Sequence, residues 1–117
     1  MDIVVDKNRQ VADLLYQFSE VYPYLKLVIF WKGEELRETY MNMPLDRFAT
    51  IKNHEAFNIS PIYKVSELEE AFKEYLGIKI KVYRKLGENT WLETSFTSNW
   101  SLEWQNTKGV ELFQAIK

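Results

Sequence analysis

A chain of 117 residues with 46% hydrophobic and 27% charged side chains has the composition of one folded domain, and is unlike a disordered segment. Fifteen basic against seventeen acidic residues leave a net charge of −2, so no overall field draws it to nucleic acid or anionic lipid. The absence of cysteine excludes disulfide frameworks, thiolate metal sites and cysteine nucleophiles.

The first ten residues, MDIVVDKNRQ, hold a single short apolar run. A secretory leader needs a basic start and about 7–15 apolar residues, and a membrane span needs roughly 18 or more. Neither pattern is present, so the expectation is a cytoplasmic protein with no membrane association. Ile3-Val4-Val5 predicts a short strand. Val11, Leu14, Leu15, Phe18, Val21 and Tyr22 then recur at spacings of three and four, the stripe of a helix, with Asn8 as its expected cap and Pro23 as its stop. Leu25 to Trp31 reads as a strand that is apolar on both faces and therefore central. Gly33 turns the chain, and Leu36 to Met41 is expected to return as a second strand. Asn42-Met43-Pro44-Leu45-Asp46 predicts an asparagine cap opening a short helical turn, with Pro44 in its first turn. Glu55-Ala56-Phe57 is expected to close the unit as a strand.

After Asn58 to Lys64, the chain runs through the same script again. Val65, Leu68, Phe72, Tyr75 and Leu76 form a helical stripe, Ser66 and Glu69 have capping-box spacing, and Gly77 is the expected stop. Ile78, Ile80 and Val82 predict the inner face of a strand, with Lys79, Lys81, Tyr83 and Lys85 outward. Gly87 and Asn89 supply a turn, and Trp91 to Phe96 is expected to pair back. Asn99-Trp100-Ser101-Leu102-Glu103 again predicts a capped helical turn, and Glu111-Leu112-Phe113 a closing strand.

The two halves match residue by residue. Val11, Asp13, Leu14, Phe18 and Glu20 match Val65, Glu67, Leu68, Phe72 and Glu74 at an offset of 54 (65 − 11). Leu25, Lys26, Leu27, Ile29 and Phe30 match Ile78, Lys79, Ile80, Val82 and Tyr83 at 53 (78 − 25). The 42–46 segment matches 99–103 at 57 (99 − 42). Such self-similarity points to a duplicated structural unit. The expected fold is α+β: one domain over 1–117, a tandem pseudo-two-fold repeat of helix-strand-strand-short helix-strand units, at about 8–59 and 62–117, sharing one core. The alternative is a ferredoxin-like β-α-β-β-α-β arrangement, starting near Asn58 to Tyr63 and ending at the C-terminus. In general form the chain resembles small soluble bacterial proteins, a resemblance that implies no activity.

No glycine-rich phosphate loop, zinc-protease helix or nucleophile elbow occurs. The one histidine, His54, sits in a polar loop without a second ligand for a metal, so neither metal nor cofactor is expected. Glu38 and Glu93 occupy matching places in the two units and would serve paired-carboxylate, hydrolase-like chemistry if a cleft joined them; solvent-facing charge is the plainer explanation. Lys79, Lys81, Tyr83 and Lys85, with Arg84 beside them, combine ammonium groups and a ring as a single-strand nucleic-acid platform does. Lysines also keep exposed strands from aggregating, and the overall charge argues against nucleic acid as a partner. Trp31, Trp91, Trp100 and Trp104 are expected to serve mostly as core, since large rings contribute burial efficiently in a small domain, but with several tyrosines they also suffice for an exposed patch. A partner surface near Trp91, Trp100 and Trp104 makes a non-catalytic protein-interaction module the leading expectation.

Overall fold

The computed structural model describes residues 2–51 and 55–116. In chain order, β1 (Ile3–Val5), α1 (Val11–Val21), β2 (Leu25–Trp31) and β3 (Glu34–Glu35) are followed by 3-10 turns at Glu38–Tyr40 and Leu45–Arg47. Then come β4 (Phe57–Ile59), α2 (Val65–Leu76), β5 (Lys79–Gly87), β6 (Thr90–Glu93), a 3-10 turn at Ser95–Thr97, and α3 (Leu102–Ile116). β1 and β4 form a two-stranded antiparallel sheet, and β3-β2-β5-β6 form a four-stranded antiparallel one. The protein is thus α+β, with three helices and two antiparallel sheets among the described residues.

Apolar periodicity explains which faces meet. Leu14 and Phe18 of α1 and Leu68 and Phe72 of α2 share one buried cluster with Leu27 and Ile29 of β2 and Ile80 and Val82 of β5. Each of these eight side chains is at most 2% exposed. β2 lies at the centre of its sheet, as its two apolar faces predict. Its hairpin to β3 turns through Lys32 and Gly33, both at positive φ (54° and 80°), which matches the strand twist.

The helix caps depart from expectation for one reason. The first helical N–H groups of α1 and α2 are taken by backbone carbonyls far along the chain, so no N-cap side chain is needed there. Val11 and Ala12 N–H donate to Met43 and Met41, and Val65 and Ser66 N–H donate to Trp100 and Ser98. α1 accordingly starts after Gln10, with no side-chain cap and no role for Asn8. α2 starts after Lys64, whose N–H donates to Glu67 Oε1 at 3.0 Å; the expected Ser66/Glu69 box lies two residues too late. Gly77 does stop α2, in the left-handed region at φ 66°.

Three predicted strands are corrected. Leu36 to Met41 contains a 3-10 turn, because β3 ends after two residues. Trp91 to Phe96 pairs only as far as Glu93 before turning. Glu111 to Phe113 belong to α3, so the short helix expected at 99–103 continues as a long one. Its cap is Ser101, whose Oγ accepts from Trp104 N–H at 3.1 Å, and not Asn99. Pro44 likewise stands one residue before its 3-10 turn and not within it. Among the described residues no strand follows α3, so the last strand of a ferredoxin-like arrangement has no counterpart there.

Candidate functional site

Two surfaces meet at β2: its outer edge, and the face of the sheet turned away from the core. The edge is a consequence of the shortness of β3, which pairs Glu34 and Glu35 with Trp31 and Phe30. Next to that pairing, the Ile29 carbonyl accepts from Leu36 N–H at 2.8 Å. Backbone groups alternate sides along a strand, so Leu27 presents its own N–H and C=O in the same outward direction. Among the described residues no strand lies beside Leu25 to Val28 on this edge. Alongside runs a groove of about 360 Å³ between α1 and the loop after β3, walled by Leu15, Tyr16, Leu27, Leu36 and Met41. Its lining is mostly apolar, and the Tyr16 ring on its rim is 69% exposed.

The turned-away face is built by the β2–β5 register. Phe30 lies opposite Lys79, Val28 opposite Lys81 and Lys26 opposite Tyr83. On β6, Trp91 lies opposite Lys85 and Glu93 opposite Tyr83. α1 and α2 reach the sheet through its other face, through Leu27, Ile29, Ile80 and Val82. α3 does the same through Arg84, whose Nη1 donates to Gln105 Oε1 at 3.0 Å. On the turned-away face the ammonium of Lys26 lies 5.7 Å from the Tyr83 ring centre and 5.0 Å from that of Trp91. Those of Lys79 and Lys81 each lie 5.7 Å from that of Phe30.

Beyond β5, a polar cleft of about 110 Å³ gathers Glu69, Lys81, Glu93, Thr94, Ser95 and Ser98. Lys81 Nζ and Glu93 Oε1 stand 2.8 Å apart. The hydrogen bond to Glu93 holds Lys81 above the usual lysine range, against the effect of burial. Burial pushes the Glu69 carboxyl up; Lys81 opposes this, Glu93 adds to it and Lys79 opposes it.

The expected residues are distributed as follows. Lys79, Lys81, Tyr83 and Lys85 do share one face, and Lys26, Phe30 and Trp91 join them there. Trp91 is separated from the other two tryptophans of the expected partner surface. Trp100 lies under the Arg84 guanidinium, 5.8 Å from its ring centre, on the α3 side, and packs edge-on against Trp104 at 6.4 Å. Trp31 packs against Tyr40 and Phe48. Glu38 and Glu93 share no cleft: Glu38 follows the edge strand β3 and Glu93 sits on the opposite edge strand β6, three strand spacings or about 14 Å across. Among the described residues no cluster of three or more metal-ligating side chains occurs, and His54 lies outside the described residues.

The groove was not anticipated. In the sequence Leu15 is one residue of the helical stripe of α1, and the edge exists only because β3 stops early. One signal was available: Leu36-Arg37-Glu38-Thr39-Tyr40-Met41 lacks the alternation of a half-buried strand. Phe96, which the sequence reads as the end of a strand, is wholly exposed on the 3-10 turn after β6.

Compared with known protein families, curated proteins and solved structures, the chain matches none. No described helix is long and apolar enough to cross a membrane.

Proposed function

We propose that this chain is a non-catalytic protein-interaction domain that binds an extended segment of a partner by adding it to the outer edge of β2. The observation that carries the reading is the apolar groove beside Leu25 to Val28, a stretch of β2 edge that no strand pairs among the described residues, with Leu27 itself 2% exposed beneath the groove wall. An added strand gains affinity from main-chain hydrogen bonds and specificity from pockets that take alternate side chains. Leu27 offers the first, and the wall of Leu15, Leu36 and Met41 offers the second. The groove volume also falls within the range of about 300–1,000 Å³ in which binding sites occur.

The domain is further read as a duplicated unit. Supporting this, backbone hydrogen bonds recur at the sequence offsets. Val11 N–H to Met43 O (3.0 Å) answers to Val65 N–H to Trp100 O (3.1 Å), and Leu45 N–H to Arg9 O answers to Leu102 N–H to Tyr63 O, both at 2.9 Å. Val4 pairs with Asn58 and Val28 with Lys81, at offsets of 54 and 53 (58 − 4, 81 − 28), so each of these pairs is its own counterpart, as a two-fold relation requires. On these bonds the units begin with β1 and β4, a strand earlier than the 8–59 and 62–117 expectation. The groove is then the feature that differs between units. Where it has Leu15 and Met41, the second unit has Glu69 and Ser98, at offsets of 54 and 57 (69 − 15, 98 − 41). One unit keeps an apolar channel, and the other fills the place with charge.

The test is a displayed library of random dodecapeptides selected on the protein, followed by amide hydrogen exchange. In the free protein the Leu27 amide is expected to exchange much faster than those of Val28 and Phe30. A selected peptide should slow it, and Met41→Arg should weaken that peptide at least tenfold. A Leu27 amide already protected without peptide, or peptides indifferent to Met41→Arg, would reject the reading.

A further inference from the structure

The turned-away face of the sheet adjoins the groove, with which it shares Lys26 and Val28, and calls for a ligand of different chemistry. Three rings lie along a diagonal of it. Phe30 on β2 and Tyr83 on β5 are four residues apart along the strands, because Phe30 is opposite Lys79 and Tyr83 opposite Lys26. Trp91, opposite Lys85 on β6, extends the line by two more residues. At about 3.4 Å per residue and 4.8 Å per strand, the track is about 22 Å long. Ammonium groups stand along its whole length: Lys79 and Lys81 at Phe30, and Lys26 between Tyr83 and Trp91. Glu93 is engaged by Lys81 at 2.8 Å, and Glu69 of α2 interacts with both Lys81 and Lys79, which leaves Lys26 as the cation held only by rings among the described contacts. A chain with net charge −2 thus carries a positive, aromatic strip on the sheet face opposite the one that the buried cluster occupies.

We propose that this face binds single-stranded nucleic acid. The rings stack bases, and Lys26 and Lys79 swing off them on flexible stems to meet the phosphates between. A track of this length suits the low end of single-strand sites, about four nucleotides. Charge complementarity alone would also admit an acidic peptide; the spacing of rings along the strip, which a polycarboxylate does not use, favours bases. The low overall charge limits long-range attraction, so the contact acts at short range.

The experiment uses the intact chain and a fluorescein-labelled oligo-uridine of about ten nucleotides, with anisotropy read at about 50 and 200 mM salt. Two neutralised phosphates give a slope of about −1.4 in log K against log salt, an approximately sevenfold loss over that fourfold range. Lys26→Glu with Lys79→Glu, both at the surface, should cost at least tenfold and flatten the slope. Tyr83→Leu, which keeps a strand-compatible apolar side chain, should cost about tenfold with the slope unchanged, as loss of stacking predicts. Far-ultraviolet circular dichroism checks that each variant is folded. No binding by about 100 μM protein at the lower salt would overturn the proposal, as would binding unaffected by the lysine changes. Equal binding of a poly-glutamate peptide of the same length, indifferent to Tyr83→Leu, would also overturn it and assign the face to acidic peptides.

Discussion

Tyr22 ends α1 with its ring 3% exposed and 5.1 Å from that of Phe18, and its buried hydroxyl has no hydrogen-bond partner among the described residues. Leaving a buried hydroxyl unpaired costs about 1–3 kcal/mol, whereas removing it leaves the shape of the core unchanged. Tyr22→Phe should therefore match or exceed the wild type in Tm; a fall of several degrees would show that the hydroxyl has a partner. Burial, then the charges of Asp2 and Glu103, push the Tyr22 pKa from 10.0 up to about 12. The fold thus favours the neutral phenol. Its contribution is complete below pH 10, the unfolded value, and is lost as pH rises from 10 through about 12. Tyr22→Phe should be the less pH-sensitive protein over that window, measured by urea denaturation at fixed pH values on either side of it.

α3 shows how one element is seated. Asn106 Oδ1 accepts from Tyr24 N–H at 2.8 Å, and buried Gln105 Nε2 donates to Thr97 O at 2.7 Å while its Oε1 accepts from Arg84. Gly109, one turn on from Gln105, lets the helix approach the start of β2. A Cβ there would stand 2.7 Å from Tyr24 Cβ and 3.3 Å from Arg84 Cγ. Two effects compete in Gly109→Ala. Helix propensity favours alanine by about 1 kcal/mol, and overpacking against a β-carbon that cannot swing away costs about 1–3 kcal/mol. The expected outcome is a net loss of about 0–2 kcal/mol in the urea midpoint analysis. A gain would mean that α3 sits more loosely on β2 than these distances imply. Ser101→Ala removes the cap of the same helix and should cost about 1 kcal/mol, read in the same way.

At the scale of the molecule, neither main helix has a core of its own. Phe18 and Phe72 are both 0% exposed and belong to one buried cluster with both central strands. Phe72→Ala should cost about 3–5 kcal/mol, a large share of the roughly 5–15 kcal/mol of a typical domain. Phe18→Ala should cost as much, and either variant should melt in one transition seen identically by tryptophan fluorescence and circular dichroism. Two transitions would show that the halves fold separately.

Local chemistry was legible in the sequence wherever it depends on neighbours along the chain. The stripes of α1 and α2, the stop at Gly77, the Gly33 turn and the alternation of Lys79, Lys81, Tyr83 and Lys85 with the inner residues of β5 all follow from side-chain periodicity and backbone sterics, which act over a few residues. The helix starts differ from what the sequence implies because carbonyls some 30 residues away, at Met41, Met43, Ser98 and Trp100, take the opening amides of α1 and α2. The long α3 was missed because its seat is built by Tyr24 and Arg84, on other elements. The same holds for the two surfaces. Sequence placed the lysines on one face of a strand, but only the register of β2 against β5 set Phe30 and Lys26 beside them, and only the early end of β3 opened the Leu27 edge to the groove. Periodicity determines which way a side chain points; the pairing of distant strands decides what it meets.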